Sequence, residues 1–385
     1  MSSITPLDCF AIVAPGLEPF ALAEAQALGL GATLEAGGVA WSGDARSAFL
    51  ANAALRIASR VLVRLASFEV RSFAELERHA RRISWASVLR PGDAVRFRVT
   101  CKKSKLYHSD AVAQRLADAV MRAVPGVRAE GGSIGEDEFD EDEADVALIV
   151  VRLMRDVCTV SADSSGALLH RRGYRLATAR APLRETIAAG LLAASGWDGM
   201  SPLVDPLCGS GTIPIEAALK ARGIAPGAHR RFAMERWPTV PALLGDQVRS
   251  QLAERAVASA SVAIEGSDRD AGGIAAATSN AARAGVSHDL TLAVLSLSAA
   301  RFPEGSRGWV VTNPPYGVRV GEADEVRDLW AQLGNVLRER APGWRVALLS
   351  PETALERQLR IPLRAAASLS NGGIPVRIMV GEVPG

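Results

Sequence analysis

The chain has 385 residues, of which 48% are apolar and 22% charged, and its 44 basic and 42 acidic side chains leave a net charge of +2. This length allows two or three domains with full cores, and the composition is that of an ordinary globular protein. No apolar run approaches the roughly 20 residues of a membrane span, and residues 1–16 lack the basic start of a secretion signal.

The four cysteines lie far apart and show neither CxxC spacing nor a nearby histidine partner. They are Cys9, Cys101, Cys158 and Cys208. This pattern favours reduced thiols over a disulfide framework or a zinc site. We therefore expect a cytoplasmic protein with no membrane segment and no bound metal.

The first 160 or so residues mix predicted strands and helices without a glycine-rich ligand loop. The clearest half-buried strand alternates Val95, Phe97 and Val99 with arginines. Strands are predicted at 8–14, 39–41, 61–70, 95–100, 147–153 and 157–162, and helices at 17–28, 44–57, 73–83 and 111–123. This mixture indicates one or two small α+β modules.

Three of the four lysines fall in one short stretch, CKKSKLYH at 101–108, in a chain that otherwise uses arginine. The candidate RNA-binding residues there are Lys102, Lys103, Lys105, Tyr107 and His108. Compact cations and stackable rings are suited to RNA phosphates and bases, and the clustering favours this reading over an ordinary exposed turn. The acidic block at 135–145 is predicted to be a solvated loop.

A basic, irregular link follows at 170–175, with the sequence HRRGYR. Arg171 and Arg172 could steer RNA toward a site or cover a domain junction, and the sequence leaves both open. A helix is predicted from 182 to about 195.

Residues 203–213, LVDPLCGSGTI, read as a strand, a tight turn and a helix that continues to Ala221. Gly209 and Gly211 allow a ligand to approach the backbone, and Ser210 or Thr212 could cap the electropositive helix start. The loop has no P-loop lysine, and it lacks a GxGxxG fingerprint directly after the strand. Its acidic residue, Asp205, could instead meet the cationic amino-acid part of S-adenosylmethionine.

The next predicted strand, at 262–265, is followed by Asp268. A carboxylate in this position commonly accepts hydrogen bonds from ribose hydroxyls, although Asp268 could instead be the N-cap of a helix at 271–284. The interval from glycine loop to acid exceeds the usual ~20 residues. An insertion at 223–237 explains the excess.

A further short apolar strand is predicted at 309–311, and the sequence TNPPYG follows it. Two prolines force the chain out of the sheet at its carboxyl end. There, the Asn313 side-chain oxygen and the Pro314 carbonyl could both accept hydrogen bonds from one planar NH2 group, while Tyr316 stacks on the ring that carries it. The alternative is a simple Asn-Pro turn. Together with the glycine loop, the motif favours a nitrogen-directed, S-adenosylmethionine-dependent methyltransferase.

Long stretches of the chain resemble the THUMP-domain class I RNA methyltransferases, particularly the bacterial ribosomal-RNA guanine-N2 branch. The matching stretches lie at 14–18, 103–108, 164–166, 170–175, 181–188, 203–218, 224–227, 231–237, 266–270, 280–285, 313–317 and 370–373. The resemblance implies an α/β fold: a Rossmann-like class I methyltransferase domain at 164–385, preceded by an α+β ferredoxin-like segment at 1–45 and a THUMP RNA-binding domain at 46–163.

The resemblance also implies roles for individual residues. The cofactor loop would be lined by Asp205, Pro206, Cys208, Gly209, Ser210, Gly211 and Thr212. The ribose would lie at Asp268 and Asp270, and the target base at Asn313, Pro314, Pro315 and Tyr316. The sequence departs from the family at 296–298, where Ser-Leu-Ser replaces the usual acidic contact to adenine, and a serine oxygen would have to accept that hydrogen bond.

The function expected from the sequence is direct methyl transfer from S-adenosylmethionine to the N2 amine of a guanosine, in 23S rRNA, with no general base and no metal. Cys208 has no base partner and is not expected to be a nucleophile. The alternatives are a tRNA guanine-N2 or adenine-N6 methyltransferase, a non-enzymatic RNA-binding or ribosome-assembly factor, and an NAD-dependent oxidoreductase. RNA is the expected partner, and the sequence does not indicate an oligomeric state.

Overall fold

The computed structural model describes residues 6–134, 146–175, 183–303, 307–316 and 323–385. Within these ranges the strands form two sheets, one of eight strands and one of seven. The predicted acidic loop at 135–145 lies outside the described residues, as does Gly317, which ends the matching stretch at 313–317. No described helix is both long enough and apolar enough to cross a bilayer.

The first sheet is mixed, and helices pack on it. Its strands are β1 (Leu7–Ile12), β2 (Thr33–Glu35), β3 (Gly38–Gly43), β4 (Arg60–Glu69), β5 (Ala94–Lys102), β6 (Arg128–Ser133), β7 (Val146–Met154) and β8 (Val157–Asp163). They are ordered β2-β3-β1-β4-β8-β7-β5-β6. The accompanying helices are α1 (Glu18–Ala27), α2 (Ala45–Ala54), α3 (Phe73–Ala80) and α4 (Ser109–Ala123).

Helix α4 shows how apolar spacing builds this half of the core. Val112, Leu116 and Val120 recur at intervals of four, which places them on one face of the helix, and all three are buried. They pack toward β5 and β6. Strand β5 carries Phe97 inward on the predicted alternation.

The second sheet has the strand order β11-β10-β9-β12-β13-β15-β14. Its strands are β9 (Leu203–Asp205), β10 (Ile264–Asp268), β11 (Leu290–Val294), β12 (Trp309–Thr312), β13 (Arg345–Ser350), β14 (Leu363–Asn371) and β15 (Ile374–Glu382). The helices are α5 (Glu185–Ser195), α6 (Thr212–Ala221), α7 (Leu244–Ala253), α8 (Ala271–Arg283), α9 (Ala323–Arg340) and α10 (Thr353–Leu359).

Strands β9 to β13 pair in parallel, and β15 enters antiparallel beside β13. From the central β9 the chain builds outward to β10 and β11, then returns to place β12 on the other side of β9. Ligands bind at such a reversal point in open α/β sheets, at the carboxyl ends of the strands. This is a doubly wound α/β sheet, as the Rossmann-like prediction from the sequence requires.

The two sheets share one continuous hydrophobic core. The predicted insertion contributes to it, because the Gly227 amide donates to the Ala53 carbonyl (2.9 Å) and Phe232 packs edge-on against Phe49 with ring centroids 5.2 Å apart. At Gly16, a Cβ atom would lie 2.0 Å from the Ser368 carbonyl oxygen of β14. The N-terminal turn therefore presses directly against the second sheet.

Arg172, a candidate RNA contact, is buried at the junction between the two halves of the chain that carry the two sheets. Its guanidinium pairs with Glu216 of α6 (Nε to Oε1, 3.3 Å), and the two side chains are 2% and 0% exposed. It also donates to the carbonyls of Leu169 (2.7 Å) and Arg56 (2.6 Å). The RNA-contact interpretation is therefore wrong for Arg172, because a side chain enclosed by these acceptors cannot reach phosphate. Arg171 beside it is half-buried.

Candidate active site

The glycine loop and the Asn-Pro-Pro-Tyr motif leave the same edge of the second sheet. Strands β9 and β12 are adjacent and parallel, with Val204 opposite Val310. Asp205 and Thr312 therefore end their strands side by side, and the segments that follow both begin at the carboxyl edge. A ligand at this edge could contact both segments.

Two glycines in the left-handed region shape the loop after β9. Gly209 has φ +51° and Gly211 has φ +81°. The Gly211 amide donates to the Cys208 carbonyl (2.8 Å), which closes the turn. A Cβ atom at Gly211 would lie 2.8 Å from the Ala277 Cβ of α8, whereas one at Gly209 would meet nothing within 4 Å. Gly211 therefore allows helix packing, and Gly209 leaves open space over the loop.

The first turn of α6 has no side-chain cap in the described structure. The capping role predicted for Ser210 or Thr212 is wrong, because Gly211 occupies the N-cap position. The Thr212 hydroxyl accepts instead from Arg175 (2.8 Å), and Ser210 is buried. An uncapped helix start offers backbone N–H groups and a positive dipole end to an anionic group.

Asp268 at the end of β10 braces the loop. One of its carboxylate oxygens accepts from the Gly209 amide and the other from the Asp270 amide, each at 2.9 Å. Asp270 caps α8, accepting from the amides of Gly272 (3.0 Å) and Gly273 (3.1 Å). The capping role considered for Asp268 thus belongs to Asp270. Asp268 remains the carboxylate at the strand end, where a ribose would lie.

Asp205 is 1% exposed, and its carboxylate accepts from the Leu207 amide (3.2 Å). Burial raises the pKa of Asp205 to about 7, an effect that the Thr312 hydroxyl opposes. Burial, together with the charges of Asp205 and Asp268, also raises the pKa of the Cys208 thiol far above its usual range. The thiol is therefore neutral and unsuited to nucleophilic attack.

Two residues of α8 connect the glycine loop to its surroundings through hydrogen bonds. The buried Asn280 donates from its amide to the Ser210 carbonyl (3.1 Å). Its side-chain oxygen accepts from Arg283 (2.6 Å), which also donates to the Tyr174 carbonyl (2.7 Å). The roles of Asn280 and Arg283 were not predicted, although both lie in a stretch matched by the family resemblance.

The candidate base-binding motif is hydrogen-bonded to the fold at its Pro-Tyr end and has an unsatisfied acceptor at its Asn end. The Asn313 side-chain oxygen is buried and has no hydrogen-bond partner among the described residues. Beside it, Pro314 is buried and Pro315 is exposed. The Pro315 carbonyl accepts from the indole of Trp330 (3.0 Å), and Tyr316 is half-buried.

The loop at 102–108, called the lysine loop below, follows β5 and is hydrogen-bonded to the β7–β8 turn. The Lys105 amide donates to the Asp156 carboxylate (2.7 Å), and the Asp156 amide donates to the Ser104 hydroxyl (3.1 Å). Lys102, Lys103, Lys105, Tyr107 and His108 are all exposed. Tyr107 is 69% exposed, and its ring centroid lies 4.1 Å from that of His108. Their RNA-binding role stays a prediction.

Three family models match the chain. Residues 172–377 match the RMKL-like methyltransferase domain, residues 8–62 the RlmL ferredoxin-like domain and residues 70–163 the THUMP domain. The chain belongs to the RMKL-like methyltransferase family. The resemblance stated from the sequence is confirmed.

Relatives of this RMKL-like methyltransferase extend over nearly its whole length. A candidate RNA methyltransferase of Synechocystis is 32% identical over 385 residues, covering 99% of this chain and 98% of the relative. The ribosomal RNA large subunit methyltransferase K/L of Cellvibrio japonicus is 33% identical over 390 residues, covering 97% of this chain and 51% of the relative. This chain thus spans about half the length of the second relative.

Solved structures share the fold across both halves. A crystal structure of SMU.472, a candidate methyltransferase complexed with SAH, has a TM-score of 0.84 and 28% identity, covering 99% of this chain and 98% of the other. A Listeria monocytogenes protein described as a predicted N6-adenine-specific DNA methylase also has a TM-score of 0.84, with 30% identity, covering 97% and 96%. The methyltransferase fold and its cofactor, S-adenosylmethionine, are confirmed.

The residues of this RMKL-like methyltransferase fit that cofactor. The open space at Gly209, the uncapped start of α6 and the Asp268 carboxylate would hold a ligand that carries a carboxylate and a ribose, whereas Asp205 is buried at the end of β9. When bound, S-adenosylmethionine supplies an electrophilic methyl group. No three His, Cys, Asp or Glu side chains in the described ranges group as metal ligands would.

Proposed function

We propose that this RNA methyltransferase modifies the exocyclic N2 amine of a guanosine in 23S ribosomal RNA. The observation that carries the proposal is the buried Asn313 side-chain oxygen, which lacks a hydrogen-bond partner among the described residues. An unsatisfied buried acceptor costs about 1–3 kcal/mol, so it calls for an explanation. At the ligand edge of the sheet, a substrate amine would provide the missing donor.

The chemistry follows from where the acceptors lie. An exocyclic amine is a poor nucleophile because its lone pair is delocalised into the ring. The Asn313 oxygen and the Pro314 carbonyl accept hydrogen bonds from its two N–H groups and stabilise the positive charge that develops on nitrogen. Tyr316 stacks on the base and fixes its plane, so orientation supplies much of the rate. The amine proton becomes acidic once nitrogen carries the methyl group, and it is released to water, so no general base is needed.

The choice of RNA rests on the THUMP match at residues 70–163 and on the names of the relatives from Synechocystis and Cellvibrio. The exposed lysine loop would bind phosphates. A cytoplasmic location is proposed on the same ground, because ribosomal RNA is made and assembled there. Adenine N6 is the second candidate, since the Listeria neighbour is described as a predicted N6-adenine-specific DNA methylase. The two acceptors would also recognise an amine rather than a particular ring.

The test is methylation by the purified chain with labelled S-adenosylmethionine, followed by mass analysis of nucleosides. The substrates are protein-free 23S rRNA and total tRNA. We expect N2-methylguanosine in 23S rRNA, and a loss of about 10²–10³-fold in kcat for Asn313→Ala, as for removal of one positioned transition-state contact. The matched control is Asn335→Ala on the exposed face of α9, which should retain wild-type activity.

Each other outcome overturns a stated part of the proposal. N6-methyladenosine would overturn the choice of base, and N2-methylguanosine in tRNA alone would overturn the choice of RNA. Cofactor binding without methylation of either RNA would favour a non-enzymatic assembly factor.

A further inference from the structure

The second half of the Asn-Pro-Pro-Tyr motif is tied to the rest of the fold by two side-chain hydrogen bonds. Trp330, fully buried in α9, holds the Pro315 carbonyl. The Tyr316 hydroxyl accepts from the Asn371 amide at 2.6 Å. Among the described residues, the aromatic end of the motif is hydrogen-bonded in this way, whereas the Asn313 oxygen at the other end is buried without a partner.

Asn371 lies at the tip of a β-hairpin. It ends β14 and pairs with Ile374 across a two-residue turn, where Gly372 has φ +58° and Gly373 has φ +83°. Both values are positive, as in the tight turns that suit the twist of a β-hairpin. Two strands of nine residues support this hairpin, so its tip is well suited to positioning a neighbour.

The sheet topology explains how the tip reaches the motif. Strand β15 runs antiparallel to β13, with Arg377 opposite Ser350 at the carboxyl end of β13. The β14–β15 turn therefore lies at the same edge as the segment after β12, which neighbours β13. Asn371 meets Tyr316 there although 55 residues separate them in sequence.

We propose that Asn371 is a positioning residue for methyl transfer, acting through the Tyr316 hydroxyl to hold the ring in the plane where it stacks on the target base. The inference rests on the proposed function, because it assigns Tyr316 the stacking role. Without the tether the ring can turn about its side-chain torsions, and the target amine loses its alignment. Trp330 holds only backbone, so Asn371 alone of these two sets the ring.

The test is a double-mutant cycle of Asn371→Ala and Tyr316→Phe on 23S rRNA. Loss of one aligning hydrogen bond should lower kcat roughly tenfold in each single variant. Because both changes remove the same bond, the double variant should be no slower than either single one. Affinity for S-adenosylmethionine and the melting temperature should stay at wild-type values, as they should for the Asn335→Ala control.

A second readout needs no activity. The chain has three tyrosines, so ¹³Cζ labelling gives three NMR signals, and Tyr316→Phe assigns one of them. Burial raises the pKa of Tyr316 and the Asn371 hydrogen bond lowers it. Asn371→Ala should therefore shift the Tyr316 signal and raise its pKa, while the other two tyrosine signals stay unchanged.

The two readouts separate the possible failures. An unchanged Tyr316 signal in Asn371→Ala would overturn the tether itself. A changed signal with wild-type kcat, or losses that multiply in the double variant, would overturn the positioning role. A wild-type chain that methylates neither RNA would instead overturn the proposed function, and with it the catalytic part of this inference.

Discussion

Replacing Arg172 by methionine should destabilise the protein strongly without changing an RNA contact. The guanidinium makes four hydrogen bonds, two to Glu216 and one each to the carbonyls of Leu169 and Arg56. Methionine fills much of the same volume but leaves the Glu216 carboxylate buried without its cation. Among the described residues, the Tyr174 hydroxyl (3.1 Å) is then its remaining side-chain hydrogen-bond donor, and the buried Arg56 guanidinium is a nearby cation.

Breaking one side of a buried ion pair costs about 3–5 kcal/mol, because the remaining charge loses its hydrogen-bonded partner. That loss lowers the folding equilibrium constant by roughly two to nearly four orders of magnitude. Replacing both partners, as in Arg172→Met with Glu216→Leu, removes the stranded charge and should recover most of the loss. Arg231→Met is the surface control, since that side chain is 79% exposed and should unfold at the wild-type urea concentration.

The assay is urea unfolding followed by tryptophan fluorescence, with RNA affinity measured at several salt concentrations. A residue that contacts phosphate would lower the salt slope by about one when replaced. We expect an unchanged slope for Arg172→Met under conditions where the variant is folded. Wild-type unfolding together with a reduced salt slope would refute the assignment of Arg172 to the junction.

Three further predictions concern the cofactor loop. Gly211→Ala should lower both stability and cofactor affinity, because its Cβ would meet Ala277 and its backbone is left-handed. Gly209→Ala strains only the backbone, so it should cost less stability while still lowering affinity. Calorimetry and melting compare the two, and equal stability losses would contradict this. Asn280→Ala frees the Ser210 carbonyl and should weaken S-adenosylmethionine binding by about 1–2 kcal/mol in calorimetry; unchanged binding would count against it. The pKa of Asp205 is raised to about 7 in the folded protein, whereas the unfolded value is about 4. The free energy of unfolding of the unliganded protein should therefore fall as pH rises from about 4 to 7. Asp205→Asn should flatten that dependence in urea melts, and parallel profiles for the two proteins would disprove it.

Local motifs in the sequence predicted the outline of the site. The glycine loop, Asp268 and the Asn-Pro-Pro-Tyr segment each follow a strand with a recognisable pattern, and the alternating β/α order brings strand ends to one edge. The cap of α6 was mispredicted because hydroxyl residues beside a helix start usually cap it. Here, Gly211 takes that position, and Arg175 engages the Thr212 hydroxyl instead.

Contacts between residues distant in sequence could not be predicted. Asn371 and Tyr316 are 55 residues apart, and Arg172 and Glu216 are 44 apart, so neither pair leaves a local pattern. Strands β2 and β6 were also missed, because their three and six residues show no apolar alternation. Pairing with neighbouring strands overrides their weak local preference.

The contact between Gly16 and β14 has a consequence for how the chain can be divided. A cut at residue 163 would separate the chain at a boundary indicated by the sequence, but it would expose part of the hydrophobic core. The apolar face of α5 that packs on Leu17 would be uncovered. This packing is close, because a Cβ at Gly190 would lie 2.5 Å from the leucine Cδ1. An excised catalytic half would expose this apolar surface to solvent. Such a fragment should aggregate, so this molecule is dissected better by point substitution than by truncation.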